Sequence, residues 1–333
     1  MSVWKKIKIK LDELCLESTL KGGQSFRWKQ SGDNEWSCAL NNKLITLKQD
    51  CSYVYYRVYK LEEELEENEE NNREFLIDYF NLSICLSDLY KEWSFRDENF
   101  RKQGERFKGI RIMRQDPWEN LICFICSSNN NINRISSMIE KLCHKYGTFV
   151  GRIGKNDYYD FPAPSKLSKP SVELELRELG FGYRAKFIQK TAWIIENERP
   201  KKWLESLRNK SYYEAKNSLC ELMGVGYKVA DCVCLMSLDQ PSAVPIDTHV
   251  WQIAQRDYKF NTKKYKTINK TLYETIGDYY RNLWGEYAGW AQGVLFTSDL
   301  SIFKNRAKIE KNLPKLIDQE KTNYDKISKN NKL

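Results

Sequence analysis

The chain has 333 residues, 41% hydrophobic and 13% aromatic, enough for two or three packed subdomains around a sizeable core. No apolar run reaches membrane-spanning length, and the start, MSVWKKIKIKLDELC, carries no apolar stretch of signal-peptide type, so neither a membrane nor a secreted protein is expected. The formal net charge of +9 suits a polyanionic partner, but lysine-rich composition alone gives the same number and decides little.

In chain order, residues 5–11 alternate charged and apolar at period two, as a half-buried strand does, and residues 36–40, 43–49 and 53–59 repeat that signal. Asn41-Asn42 fits a hairpin turn between two of them. This part reads as an antiparallel sheet, and the double glycine Gly22-Gly23 marks a turn with exposed backbone. The acidic run over 61–74 is expected to be a solvated loop or frayed helix start, unsuited by charge to bind a polyanion. Helical patterns follow over 75–79, 86–93 and 100–107.

Asp116-Pro117-Trp118-Glu119 is a strong helix start: an N-cap, a proline at the first position and a glutamate at the third. That helix breaks at Ser127-Ser128-Asn129-Asn130-Asn131, which is either a plain loop or a set of amides presented to a ligand. Another helix carries Ile132, Ile135, Ile139 and Leu142 on one face and ends near Gly147. Residues 162–170 form a linker, a short helix stops at Gly180-Phe181-Gly182, and Tyr183 opens the next. The aromatic segment from Trp284 is expected to be helical, with Gln292 and Phe296 four apart on one face. Beyond Lys304 a Lys/Asn-rich tail is expected to lack fixed structure.

The ten cysteines include a CxxC at Cys123 and Cys126, but Phe124-Ile125 lie between them in an apolar helical run and no second CxxC completes a zinc site. Buried free thiols are the expectation. Only two histidines occur, His144 and His249, which argues against histidine-rich metal chemistry and most triad hydrolases.

The stretch with most chemical content is LMGVGYKVADCVCLMSLDQPSAVPIDTHVW, residues 222–251. A Gly-Val-Gly turn joins two apolar helical runs, 212–223 and 227–238, and its exposed N–H groups make a seat for a phosphate. Lys228 falls in the first turn of the second helix, and Asp247, after Val-Pro-Ile, suits the N-cap of a third. A helix–hairpin–helix alone is a phosphate-backbone binder. An amine nucleophile together with a carboxylate also suits attack on a sugar C1′ as a base leaves: the amine forms a Schiff base and the carboxylate stabilises oxocarbenium-like charge.

Five segments together, GGQSFRW, RQDPWENLICFICSSNNNINRI, LGFGYRAKFI, GVGYKVADCVCLMSLDQPSAVPIDTHVWQIAQRDY and LWGEYAGWAQGVLF, closely resemble the eukaryotic 8-oxoguanine DNA glycosylases. These belong to the helix–hairpin–helix glycosylases with a Gly/Pro…Asp loop, and the resemblance spans roughly 5–303 with the blocks in the same order. It implies Lys228 as the Schiff-base lysine and Asp247 as the catalytic aspartate. Gly23 matches the glycine whose carbonyl accepts the N7–H of the lesion, a proton that normal guanine lacks. Cys232 and Phe296 match the pair that sandwiches the flipped base, and Gln292 the reader of its Watson–Crick edge. Asn129 matches the residue filling the vacated space, Arg134 and Arg184 the arginines on the estranged cytosine, Tyr183 the aromatic wedge, and His249 a phosphate contact. The carbonyls of Cys220, Leu222 and Val225 match a structural cation site.

Two departures stand out. Met223 replaces the proline common before the hairpin, and Tyr227 is a larger neighbour of the lysine than the family usually carries. No cysteine follows Cys234, so the iron–sulfur cluster of endonuclease III-like relatives is not expected.

The expected fold is therefore α+β: an N-terminal antiparallel β domain with a helical extension over 1–112, and two mainly α-helical subdomains containing the helix–hairpin–helix motif over 113–303, with a cleft between them. The expected function is excision of 8-oxoguanine, and of formamidopyrimidine guanine, opposite cytosine in duplex DNA, with β-elimination at the abasic site. The enzyme is expected to act as a monomer in the nucleus, with no required cofactor.

Overall fold

The computed structural model of the chain describes residues 3–59, 69–260 and 265–303. The tail over 304–333 and the greater part of the acidic run, 60–68, lie outside the described residues. The architecture is the expected α+β one.

Strands β1 (Lys5–Lys8), β2 (Lys29–Gly32), β3 (Glu35–Leu40), β4 (Lys43–Gln49) and β5 (Tyr53–Tyr59) form an antiparallel sheet in the order β1-β5-β4-β3-β2, with the short helix α1 (Leu16–Lys21) crossing between β1 and β2. Leu40 pairs with Lys43 across Asn41 and Asn42, whose φ of 50° and 60° give the left-handed pair that a two-residue hairpin needs. One face of the sheet, including Ile7, Trp36, Cys38, Leu47 and Tyr56, packs on α1 and on Leu76 and Tyr79 of α2 (Glu69–Tyr79).

The remaining helices are α3 (Leu86–Arg96), α4 (Glu98–Gly104), α5 (Pro117–Ile125), α6 (Ile132–Tyr146), α7 (Pro164–Leu167), α8 (Val172–Glu178), α9 (Arg184–Asn197), α10 (Trp203–Ser206), α11 (Tyr212–Cys220), α12 (Tyr227–Ser237), α13 (Thr248–Tyr258), α14 (Lys270–Trp284) and α15 (Ala288–Asp299), with a hairpin of β6 (Phe149–Ile153) and β7 (Asn156–Tyr159) after α6. Helix α5 starts as its sequence dictates: the Asp116 side chain accepts the Glu119 N–H at 2.8 Å and Pro117 opens the helix. All nine of its residues are buried, and α12 lies against it with Val229 to Ser237 buried as well. Helices α3 and α4 join this helical core rather than the sheet core, through Tyr90, Trp93 and Phe100 against Trp284 of α14. No described helix is long and apolar enough to cross a membrane.

Three features lie outside the sequence expectations. Strand β2 is only four residues of polar sequence, KQSG, and pairs at the sheet edge with a register shift between Gln30 and Gly32. The β6–β7 hairpin covers the second face of the sheet, where Val150 and Tyr158 meet Ala39 and Leu44. This explains why β3 and β4 are buried on both sides in place of the alternation a one-sided sheet would show. Helix α14, capped by Asn269, buries Leu272, Tyr273, Ile276, Tyr280 and Trp284, a helical spacing present in the sequence.

Arg27 ties the sheet to the helices. Its guanidinium lies 2.6 Å from Glu119 of α5 and donates to the carbonyls of Ala39 on β3 and Tyr159 on β7 at 2.7 and 2.8 Å, with both charged side chains more than 90% buried. A buried pair is stabilising only as a pair, because removing one partner strands the other charge away from water. Arg27→Met should lose about 3–5 kcal/mol of stability in denaturant unfolding. Arg27→Met with Glu119→Leu should lose less than Arg27→Met alone, since no orphan carboxylate remains.

Candidate active site

Lys228 is in the first turn of α12, placed there by the turn that starts the helix. Gly224 has φ of 82°, and a Cβ on it would lie 2.6 Å from the Phe187 ring of α9, so both conformation and space demand glycine. Gly226, by contrast, has ordinary φ and nothing within 4 Å of where a Cβ would be. Its bare backbone faces open space beside the α12 N-terminus, the arrangement an approaching anion needs. Met223, one of the departures from the family pattern, is held by its carbonyl, which accepts the Thr191 hydroxyl at 3.1 Å.

The lysine reaches across to the end of α5. Its Nζ is 3.0 Å from Ser127 Oγ and 4.8 Å from the centre of the Phe124 ring. Because Ser127 Oγ itself donates to the Phe124 carbonyl at 2.7 Å, its lone pairs are what it offers to the amine. Asp247 is the N-cap of α13, as expected: its Oδ1 accepts the Val250 N–H at 2.9 Å.

Lys228 and Asp247 line one cavity of about 60 Å³ together with Gly23, Cys232, Gln292 and Phe296. All four residues expected to hold the base are thus brought together. Gly23 has φ of 77°, and a Cβ there would come within 3.1 Å of Ile132 and 3.5 Å of the Phe296 ring. Its loop is pinned by Gln24, whose amide donates to the Arg111 carbonyl at 2.7 Å and accepts the Met113 N–H at 3.0 Å. Burial pushes the Cys232 thiol up to about 12, with Lys228 opposing the shift, so the sulfur stays neutral and offers a polarisable surface rather than a nucleophile.

The cavity opens onto a cleft of about 440 Å³ that shares Gly23, Phe124, Lys228, Asp247 and Phe296 and extends past Asn130 and Ile132 to Ser301. His249 stands at this mouth with its ring 5.2 Å from that of Phe296. Its Nε2 is 2.6 Å from Asp299 Oδ2, which meets the distance of an ion pair but not the alignment of a hydrogen bond. Asn129 and Arg134 are exposed on the loop and first turn flanking the cleft, Asn129 in left-handed backbone at φ 48°. Tyr183 is 46% exposed, and its hydroxyl donates to the Ser128 carbonyl at 3.1 Å.

Arg184, matched in sequence to an arginine on the estranged cytosine, opens α9 and is turned inward. It is buried, stacks on Tyr183 with 4.6 Å from guanidinium to ring centre, and donates Nη2 to the carbonyls of Ser128 and Asn129. It therefore holds the asparagine loop in place, while its buried Nε has no hydrogen-bond partner among the described residues.

Among the described residues no group of three or more His, Cys, Asp or Glu side chains is placed to hold a metal. At the hairpin, the Leu222 carbonyl accepts the Val225 N–H at 3.2 Å, closing the turn. A larger cleft of about 670 Å³ between the β3–β4 turn and α10 contains none of the expected site residues, and Arg114 at its edge is paired with Asp78 and Asp239. Sequence reasoning missed Ser127, Gln24 and Asp299, whose contacts with Lys228, with the Arg111 and Met113 backbone, and with His249 join segments far apart in sequence, which no local pattern encodes.

The chain matches known proteins over most of its length. Residues 6–121 match the 8-oxoguanine DNA glycosylase N-terminal domain, and residues 122–277 match the HhH-GPD superfamily base excision DNA repair proteins. The chain is 37% identical to an N-glycosylase/DNA lyase of Saccharomyces cerevisiae over 89% of this chain and 86% of the yeast protein. It is 38% identical to the N-glycosylase/DNA lyase OGG1 of Arabidopsis thaliana over 89% of this chain and 80% of the plant protein. Among solved structures, the Clostridium acetobutylicum 8-oxoguanine glycosylase/lyase in complex with double-stranded DNA containing cytosine opposite 8-oxoguanine is similar at 29% identity and a TM-score of 0.76, covering 89% of this chain and 96% of that one. With its cavity pairing Lys228 and Asp247 and its match to both domains in order, this chain belongs to the 8-oxoguanine DNA glycosylase family of bifunctional N-glycosylase/DNA lyases.

Proposed function

We propose that the enzyme removes 8-oxoguanine, and formamidopyrimidine guanine, from opposite cytosine in duplex DNA, with Lys228 as nucleophile and Asp247 as electrostatic partner. The observation that carries this reading is the convergence of an amine from α12 and a carboxylate from the α13 cap on one small, mostly apolar cavity rimmed by Gly23 and Gln292. A base can reach that cavity only by leaving the duplex. As the bond from C1′ to the base breaks, its electron pair leaves with the base, and Asp247 stabilises the positive charge on the sugar. The neutral Lys228 amine then bonds to C1′ and gives up a proton, the C1′–O4′ bond breaks as O4′ takes up a proton, and the resulting protonated Schiff base loses a C2′ proton as the 3′ phosphate leaves with the C3′–O electron pair.

Specificity comes from the cavity walls. The Gly23 carbonyl accepts N7–H of the lesion and faces an unpaired acceptor when normal guanine enters. Phe296 and Cys232 enclose the ring faces, and Gln292 pairs with the Watson–Crick edge. On the other strand, Asn129 fills the vacated space, Tyr183 wedges the kinked duplex, and the guanidinium groups of Arg134 and Arg184 donate to the estranged cytosine. His249 contacts a phosphate beside the lesion, and the carbonyls of Cys220, Leu222 and Val225 would hold a hard cation, whose positive charge would attract a DNA phosphate at the hairpin. Genomic DNA as substrate places the enzyme in the nucleus, acting as a monomer.

Borohydride added during reaction with an 8-oxoguanine:cytosine duplex should trap a covalent enzyme–DNA adduct, and Lys228→Gln should trap none; an adduct formed by that variant would remove Lys228 from the nucleophile's role. Replacing the opposite cytosine by adenine should slow excision by about 5- to 150-fold, because losing one bidentate contact to a base edge costs about 1–3 kcal/mol. Arg134→Ala should narrow that preference, as measured by single-turnover rates on the two duplexes. At the hairpin, Gly226→Ala should leave the melting temperature unchanged and weaken duplex binding several-fold, whereas Gly224→Ala should lower the melting temperature through its contact with Phe187.

A further inference from the structure

Beneath the hairpin lies a cluster of buried polar groups that none of the roles above uses. Asp231 of α12 is fully buried, and Lys216 and Tyr212 of α11 and Tyr273 of α14 are each more than 90% buried. Asp231 Oδ1 accepts the Tyr212 hydroxyl at 2.8 Å, and Oδ2 accepts Lys216 Nζ at 3.0 Å and the Tyr273 hydroxyl at 2.5 Å. Lys216 Nζ also donates to Tyr212 Oη at 3.0 Å. Three tyrosine rings, those of Tyr212, Tyr227 and Tyr273, surround the ammonium with centres 5.3, 5.3 and 4.8 Å away. The large residue next to the catalytic lysine is thus one wall of a cage that shields a buried charge.

The direction of every bond is fixed, since a carboxylate only accepts and an ammonium only donates. The Tyr273 hydroxyl donates its hydrogen bond to Asp231, so its oxygen is left to accept, and it accepts the backbone N–H of Ile246 at 3.3 Å. Ile246 precedes Asp247 in the chain, and Asp231 is one helical turn after Lys228 on α12. Tyr273 is therefore the direct link between the helix bearing the nucleophile and the segment bearing the carboxylate. Tyr212 binds the same carboxylate from the other side and makes no bond to that segment.

We propose that Tyr273 is a positioning residue: through Asp231 and the Ile246 N–H it sets where Asp247 sits relative to Lys228, and Lys216, bonded to the same carboxylate, orients Asp231 for that purpose. The inference rests on the assignment of Lys228 and Asp247 as the reacting pair. Displacement of reacting groups by about 1 Å is enough for a ~100-fold loss of rate, so a single hydroxyl in this link has leverage that an equivalent hydroxyl outside it lacks.

The test compares Tyr273→Phe with Tyr212→Phe, each of which deletes one tyrosine hydroxyl donated to Asp231. Three quantities are measured for both and for the wild type: melting temperature, affinity for an 8-oxoguanine:cytosine duplex, and the single-turnover rates of excision and borohydride trapping with enzyme saturating. The expected result is similar melting temperatures for the two variants and duplex affinity within about threefold of wild type. Excision should fall ~10- to 100-fold in Tyr273→Phe and less than threefold in Tyr212→Phe. Equal losses in the two variants, a loss confined to affinity, or no loss in either overturns the proposal. Should Tyr273→Phe fold poorly, Lys216→Met gives the second reading. It leaves the Tyr273 hydroxyl in place but removes the charge that orients Asp231, so it should also slow excision at saturation, and wild-type rates in it overturn the proposal. The underlying assignment is checked in the same assay: if wild type traps and Lys228→Gln does not, failure of the tyrosine comparison counts against Tyr273 alone. If wild type fails to trap, both fall.

Discussion

The packing of α12 on α5 is the constraint on which the rest depends. Each of these helices is buried on every side over most of its length, so neither can turn or slide without opening the core. The consequence is local and chemical: Lys228 at the start of one meets Ser127 at the end of the other, 3.0 Å apart. An amine on a flexible four-carbon stem is poorly suited to holding one position. Here the apolar contact of two rigid helices, with Phe124 beneath the ammonium, does that work for it.

Around this pair the protein places its buried charges where separate elements must be held in register. Arg27 joins β3, β7 and α5; Arg184 holds the loop after α5; Lys216 and Asp231 join α11, α12 and α14. Such groups lose hydration on burial, and their net contribution to stability is small compared with an apolar replacement. What they supply is direction, because hydrogen bonds to a guanidinium or carboxylate fix angle as well as distance. The cavity itself is lined mostly by apolar side chains with a few polar groups among them, the composition that suits a planar ring held by contact area and oriented by a few hydrogen bonds.

Much of the fold was legible in the chain. The period-two runs, the Asn-Asn turn, the Asp-Pro-x-Glu helix start and the Gly-Val-Gly hairpin each encode their structure within a few residues. Strand β2 was not legible because KQSG has neither apolar alternation nor β-branched residues, and it is ordered only by its partner strand. The β6–β7 hairpin carries a turn signal in Gly154, at φ 59°, but its reason to exist is the second face of a sheet more than a hundred residues earlier.

Local signals in the chain single out the candidates for the chemistry: Lys228 and Asp247 are placed by hairpin and cap patterns that act over one helical turn, and family-length motifs mark Gly23, Cys232, Gln292 and Phe296. How these are held follows from the folded chain alone. Ser127 against Lys228, Gln24 on the 111–113 backbone, Arg184 turned inward onto the asparagine loop, and Tyr273 between Asp231 and Ile246 are all contacts between distant segments. Local patterns report the backbone conformation a residue prefers, whereas these contacts depend on which elements the burial of apolar surface brings together, and that is a property of the whole chain.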